Sequence, residues 1–239
     1  MISIVSATLN SERRIGVLIE SLKKQTSNEF IWYVADGGST DRTVELIKEL
    51  SFSQVHVLKD SSLYDALNAA IKSSENQYYL VVGDDDELRH DAVLIANKTI
   101  RNQKSQADII NFNCEMNSKI IRPKGGWIVW RGVQVFAAAH AVGMLISKEL
   151  HSRKDIGYYD TNYVIAADQD FLVKSYLKNV NQYYSNNILG RFSTGGVSNK
   201  KRFEALREWT SIQVKYFPRY RYVLYLRFVI VLIRWKLKL

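Results

Sequence analysis

Short apolar runs that end in small or acidic residues alternate along the first hundred positions with stretches whose apolar residues recur every three or four places. Ile2 to Ala7 reads as a strand ending at Thr8, Asn10 and Ser11, and Ile15, Leu18, Ile19 and Leu22 then follow helical spacing. Phe30 to Ala35 predicts a second strand ending in the polar run Asp36 to Asp41, and Thr43 to Leu50 a helix. The same reading gives a strand over Val55 to Leu58, a helix over Tyr64 to Ser73, a strand over Tyr78 to Val82 and a helix over Ala92 to Asn102. Strand and helix in alternation predict an α/β fold, a mainly parallel sheet covered on both faces. Such sheets bind ligands at the carboxyl ends of their strands, where Thr8, Asn10, Asp36 and the acidic run Asp84 to Asp86 all fall.

Beyond residue 108 the pattern loosens. Ile109 to Cys114 is strand-like, a second strand centres on Ile120, and Gly125-Gly126-Trp127 leads into a stretch of aromatic and small residues from Trp130 to Met144. No linker separates the halves, so residues 1–199 read as one domain, with a regular half over 1–108 that carries the ligand crevice and a looser half over 109–199 that would shape a second substrate's site. Residues 200–239 read as a tail.

Composition narrows the function classes. With 239 residues, 46% of them hydrophobic, the chain buries a sizeable core. Cys114 is its one cysteine, which rules out an internal disulfide and a Cys/His zinc cluster and suits a reducing, cytosolic setting. MISIVSATLN has no basic leader and reads as a strand, so secretion is not expected. The net charge of +9 lies in the tail, where residues 200–239 carry 11 Lys and Arg against two acids while the rest of the chain holds 22 of each. A basic surface spread over the fold, as nucleic-acid binding requires, is therefore not expected. Val223 to Ile233, interrupted by Arg227, falls well short of the roughly 20 apolar residues that span a bilayer. With Arg219, Arg221, Arg234, Lys236, Lys238 and aromatic residues around it, the segment predicts a helix lying on an anionic membrane surface.

Three adjoining carboxylates at the end of an apolar strand repel one another unless a cation neutralises them, and hard oxygen ligands suit Mg²⁺ or Mn²⁺. The segments ISIVSATLNSE, VADGGSTDRT, DSSLYDALNAAI, YYLVVGDDDEL and YVIAADQDF, in this order and spacing, resemble glycosyltransferase family 2, over roughly residues 1 to 200. The DSSLYDALNAAI and GDDD variants resemble the branch that builds bacterial surface polysaccharides. The resemblance implies a GT-A fold, an inverting transfer from a nucleotide diphosphate sugar, a UDP-sugar foremost, and a lipid-linked glycan acceptor of the undecaprenyl diphosphate class. It implies a cytoplasmic enzyme held at the inner face of the membrane.

The resemblance also assigns roles. Thr8, Asn10 and Asp36 fall to the nucleotide, although Asp36 equally fits an Asp-Gly turn. A literal DxD pairs Asp84 with Asp86. The family register instead sets Gly83 at the first acid, Asp85 on the metal with Asp86 beside it, and Asp84 toward the ribose. Asp168 is the expected catalytic base, with Ala167 where relatives carry Glu, and Asp170 the alternative. Asp60, Asp65 and Asn68 are expected near the donor sugar, with Leu67 where many relatives have Arg, and Arg191 in RFSTGG near the diphosphate. His140 fits either the acceptor pocket or the core. The departures at Gly83 and Ala167 also admit a catalytically silent partner of another membrane transferase.

Overall fold

The computed structural model describes residues 1–58, 61–102, 106–193 and 201–236. Strands β1 (Ile2–Thr8), β2 (Phe30–Asp36), β3 (Ser53–Val57) and β4 (Tyr78–Val81) run parallel, in the order β3-β2-β1-β4. Helices α1 (Ile15–Lys23), α2 (Thr43–Lys48) and α3 (Leu63–Ser73) connect them. This half follows the expected alternation with boundary shifts of a residue or two.

After β4 come β5 (Glu87–Leu88), α4 (Ala92–Arg101), β6 (Ile109–Met116), β7 (Lys119–Ile121), α5 (Ile128–Arg131), β8 (Met144–Ser147), α6 (Ala167–Leu177) and β9 (Gln182–Arg191). The sheet thus gains β6 and β7, which match the strands expected over Ile109 to Cys114 and around Ile120, and also β5, β8 and β9, which the sequence pattern does not announce. The full order is β3-β2-β1-β4-β8-β6-β9-β5, with β7 on β6. β8 lies antiparallel between β4 and β6, and β6 pairs parallel with β9. The strands beyond residue 108 thus share one sheet with the parallel strands of the first hundred residues.

Both faces of this sheet are covered, which is why its central strands read as unbroken apolar runs. On β4, Tyr78 and Leu80 pack with Ile15, Leu18 and Val93, whereas Tyr79 and Val81 pack with Ala70, Ile71 and Phe171 of α3 and α6. The C-terminal region is two helices, α7 (Arg202–Tyr216) and α8 (Arg221–Lys236). α7 is anchored in the body, with Leu206, Glu208, Ile212 and Gln213 buried. Among the described residues no helix is long and apolar enough to cross a membrane.

Candidate functional site

A cavity of about 950 Å³ opens at the carboxyl ends of β1 and β4, lined by Asp84 to Asp86, His140, Asp168 and, from the C-terminal helices, Trp209, Arg227, Val231 and Trp235. Its floor is built where β1 and β2 end. Asp36 is fully buried; its Oδ2 accepts from the hydroxyls of Thr8 at 2.8 Å and Ser39 at 2.6 Å, and its Oδ1 from the amides of Gly38 at 3.0 Å and Ser39 at 2.7 Å. Four donors fill the four lone-pair sites of a carboxylate. Asn10, in left-handed backbone with φ 48°, accepts from the Thr40 amide at 3.0 Å, while its own amide donates to Ser39 Oγ at 2.8 Å. Thr8, Asn10 and Asp36 therefore lock the two strand ends together, and Ala7 and Leu9 are the β1-end residues that line the cavity.

The three cluster carboxylates have three different environments. Asp84 accepts from Arg14 at 2.6 Å and from the Ser11 hydroxyl. Asp86 turns inward, 2% exposed, and accepts the amides of Gly83 at 2.9 Å and Ser193 at 2.8 Å. Burial pushes its pKa up to about 6, against the pull of those two amides and with a further push from Asp85 and Asp84. A Cβ on Gly83 would meet Asp86 Oδ2 at 2.8 Å, so the fold-back of Asp86 favours glycine at this position. Asp85 makes no hydrogen bond or ion pair among the described residues and lines the cavity. No group of three or more His, Cys, Asp or Glu side chains is arranged to hold a metal among the described residues. A divalent cation is compatible with Asp85 all the same, because Mg²⁺-type sites often take one or two carboxylates and complete their shell with phosphate oxygens and water.

Asp168 sits in the first turn of α6, three residues before Phe171 comes round to the core, so it is a helix-start residue rather than a cap ahead of the helix. Tyr64 Oη, which burial keeps protonated, shares its hydrogen between Asp168 Oδ1 at 2.9 Å and the Ile165 carbonyl at 2.5 Å. Glu208 of α7, 7% exposed, reaches across to the same helix start. Its carboxylate accepts the amides of Val164 at 2.9 Å, Ile165 at 2.9 Å and Ala166 at 3.0 Å, the N–H groups left open before the first turn of a helix. Nothing in the sequence marks Glu208, one acid in a basic segment remote from Asp168.

His140 stands at the end of a buried chain of hydrogen bonds whose direction can be deduced. The Gly157 carbonyl only accepts, so His151 Nδ1, 2.9 Å away, carries a hydrogen. Burial pushes the His151 pKa down to about 4, so the ring is neutral and its Nε2 accepts from Tyr79 Oη at 2.7 Å. With that hydrogen spent, Tyr159 donates to Tyr79 Oη at 3.1 Å, and His140 Nε2–H donates to Tyr159 Oη at 2.7 Å. Burial lowers the pKa of His140 also, with Asp168 opposing. The ring is left with a lone pair on Nδ1, which makes no hydrogen bond among the described residues, at the cavity wall. Two residues on, Val142 has φ 64°, a costly conformation for a β-branched residue, fixed by its amide's 2.8 Å bond to the Val81 carbonyl.

Other expected site residues are used elsewhere. Asp65 is exposed and closes a capping box with Ser62 at the start of α3. Asn68 is buried and bonds both backbone groups of Tyr159, at 2.9 and 3.1 Å, which fixes a member of the tyrosine chain; Leu63, Tyr64 and Leu67 are the α3 residues on the cavity. Asp170 is buried and ion-paired with Lys215 at 2.8 Å, pinning α6 to α7 away from the cavity. Arg191 is exposed and pairs with Glu87 at 3.4 Å and Glu115 at 3.7 Å, whereas Phe192 and Ser193 reach the cavity. Asp60, Gly195 and Gly196 lie outside the described residues.

Comparison with known proteins gives the family and the fold. Proteins named PGL/p-HBAD biosynthesis glycosyltransferase in Mycobacterium tuberculosis and Mycobacterium bovis are 25% identical over 206 residues, covering 83% of this chain and 79% of theirs. The structure of Staphylococcus aureus TarS 1–349 in complex with UDP superposes with a TM-score of 0.68 at 21% identity, over 89% of this chain and 65% of that one, which is less than two thirds of its length. The mannosyltransferase PcManGT from Pyrobaculum calidifontis, in complex with GDP-Man and Mn²⁺, gives 0.68 at 13% identity over 94% and 68%. At such identities the structures speak to the fold, which is GT-A. The sequence model of glycosyl transferase family 2 matches residues 3–137, more than half of the chain. With that match over the strand ends that carry Asp36 and Asp84 to Asp86, the chain belongs to glycosyl transferase family 2 and is a glycosyltransferase.

Proposed function

We propose that this glycosyltransferase moves a sugar, with inversion, from a UDP-sugar to a hydroxyl of a lipid-linked glycan in bacterial surface polysaccharide synthesis. The observation that carries the reading is the meeting, in one cavity, of an unpartnered carboxylate, Asp85, with an oriented one, Asp168, and with the C-terminal helix α8. Asp85 would hold Mn²⁺ or Mg²⁺ against the donor diphosphate, and the ion, when bound, neutralises charge on the departing group. Asp84, tied to Arg14 and Ser11, stands beside it for the ribose. Asp168 takes the proton of the acceptor hydroxyl as that oxygen attacks the anomeric carbon on the face opposite the diphosphate, whose bond to the sugar breaks. Tyr64 holds Asp168 Oδ1 at 2.9 Å, and Oδ2, met by a longer 3.3 Å bond from Gln169 Nε2, is the oxygen that receives the proton.

The acceptor class is supported by α8. Its outward residues Tyr222, Tyr225, Leu226, Val229, Ile230 and Ile233 are exposed and uncharged, and Arg219, Arg221, Arg234 and Lys236 flank them, as suits a helix lying in an anionic inner leaflet. The names of the mycobacterial relatives, and the UDP and UDP-GlcNAc complexes of TarS, support a glycan product and a uridine donor. The test is turnover of UDP- and GDP-sugars with Mn²⁺. Wild type should hydrolyse or transfer one of them, and Asp168→Asn should lower kcat by about 10² to 10⁴. A wild type that turns over no donor supports the catalytically silent partner instead.

A further inference from the structure

Arg227, the charge that interrupts the apolar run of the C-terminal helix, does not face outward with the other basic residues. Leu224, Arg227, Phe228 and Val231 follow the i, i+3, i+4, i+7 spacing of one helix face, the face turned to the body, and Arg227 lines the cavity that also holds Asp168. Its guanidinium carbon lies 4.7 Å from the ring centre of Trp209 and 5.4 Å from that of Trp130, so two indoles fix the plane of the fork. Gly132 lets Trp209 lie this close: its φ is 57°, and a Cβ there would meet the indole nitrogen at 2.8 Å. Gln213 donates to the Val129 carbonyl at 2.7 Å, which turns its oxygen to Arg227 at 3.3 Å.

That amide oxygen is the only polar group that meets Arg227 among the described residues; no carboxylate pairs with it. Partial burial without a counter-charge pulls its pKa down. A half-buried guanidinium with fixed plane and open donors, on a cavity wall, is a site for a phosphate or diphosphate group, which a planar fork binds in two-pronged fashion. Val231 and Trp235 continue the cavity wall along α8 with apolar surface. We propose that Arg227, held between Trp130 and Trp209, binds the phosphate-class group of an amphiphilic acceptor, whose apolar chain lies along Val231 and Trp235. The site deepens the functional reading above and rests on it: the acceptor hydroxyl reaches Asp168 from the α8 side, and the donor diphosphate from the Asp85 side.

Calorimetry with four probes tests this on the full chain: farnesyl diphosphate, inorganic diphosphate, UDP with Mn²⁺, and phosphatidylglycerol vesicles. Arg227→Gln should weaken farnesyl diphosphate at least tenfold while UDP with Mn²⁺ and vesicle binding change less than twofold. Inorganic diphosphate should bind more weakly than farnesyl diphosphate and lose affinity with the same substitution. Equal weakening of UDP assigns Arg227 to the donor and overturns the proposal, as does a farnesyl diphosphate affinity that does not change. Weakened vesicle binding with unchanged farnesyl diphosphate overturns it in favour of a headgroup contact. If Arg227→Gln fails to fold, Arg227→Lys carries the comparison, since it keeps the charge, loses the fork and should retain an intermediate affinity. A wild type that binds farnesyl diphosphate but no nucleotide sinks the donor reading alone; one that binds UDP but no farnesyl diphosphate sinks the acceptor site alone.

Discussion

Glu208→Gln is the substitution that most directly joins the fold to the chemistry. Glu208 accepts three backbone amides ahead of α6 at 2.9, 2.9 and 3.0 Å, and Asp168 lies in the first turn of that helix. A glutamine keeps one acceptor oxygen, best spent on Ile165 and Ala166, and presents its NH₂ to the Val164 amide. The part-buried Val164 N–H then loses its acceptor, at about 1 kcal/mol, and two charge-assisted bonds become neutral ones at about 1 kcal/mol each, for a total near 3 kcal/mol. For a chain of this size that lowers Tm by roughly 6–12 °C. Because the helix start would shift with its carboxylate, kcat measured well below Tm should fall at least tenfold, while the KM for the donor, bound on the β1 and β4 side, should hold. A variant with wild-type Tm would refute the capping argument. One with lowered Tm but wild-type kcat would show that Glu208 supports the fold without placing Asp168.

Two further predictions follow from the buried polar groups. In the unfolded chain His151 titrates near 6.5, and in the fold at about 4, so between those values the unfolded state holds the extra proton and stability falls as pH falls, by roughly 3 kcal/mol once both states are charged. Melting curves from pH 7 to pH 4 should show this slope in wild type and a shallower one in His151→Gln; equal slopes would mean that His151 is not the group responsible. At Asp36, asparagine keeps the oxygen facing the Gly38 and Ser39 amides, and the Thr8 and Ser39 hydroxyls can rotate to accept from its NH₂. Asp36→Asn should therefore cost about 1 kcal/mol and leave UDP affinity within threefold, whereas a large loss of UDP binding would show that Asp36 contacts the base directly.

The parallel half of the sheet was legible because each strand is buried on both faces and each helix on one, which prints two distinct periods on the sequence. β6 and β7 are legible as short apolar runs, but β5, β8 and β9 leave no such print. β8 is four residues long and wholly buried, inside a stretch of small and aromatic residues that fits helix or strand equally. β9 is exposed or half-buried over most of QYYSNNILGR without alternation, and β5 is only two residues. The tail was read correctly as helical around Val223 to Ile233, but the direction in which Arg227 points depends on Trp130 and Trp209, far away in sequence or on another helix. The YVIAADQDF motif singles out Asp168 as a candidate. Glu208 and the chain from His151 to His140 had none, because their partners meet only in the folded sheet.

The acids also show why residue type and position alone assign roles poorly. Asp36, Asp84, Asp85, Asp86 and Asp170 carry the same functional group, and four of them lie at strand ends facing the crevice. Four donors saturate Asp36, two amides and burial hold Asp86, Arg14 neutralises Asp84, and Lys215 neutralises Asp170. A carboxylate whose charge is already met gains little from a substrate or a cation, so the groups left with electrostatic demand are the ones equipped to bind or react. By that criterion Asp85 stands alone in its cluster. The same criterion, applied to the opposite charge, singles out Arg227 across the cavity. A donor diphosphate drawn to a cation at Asp85 and an acceptor phosphate drawn to Arg227 would bring their reacting ends together between the two, where Asp168 and the lone pair of His140 meet the cavity.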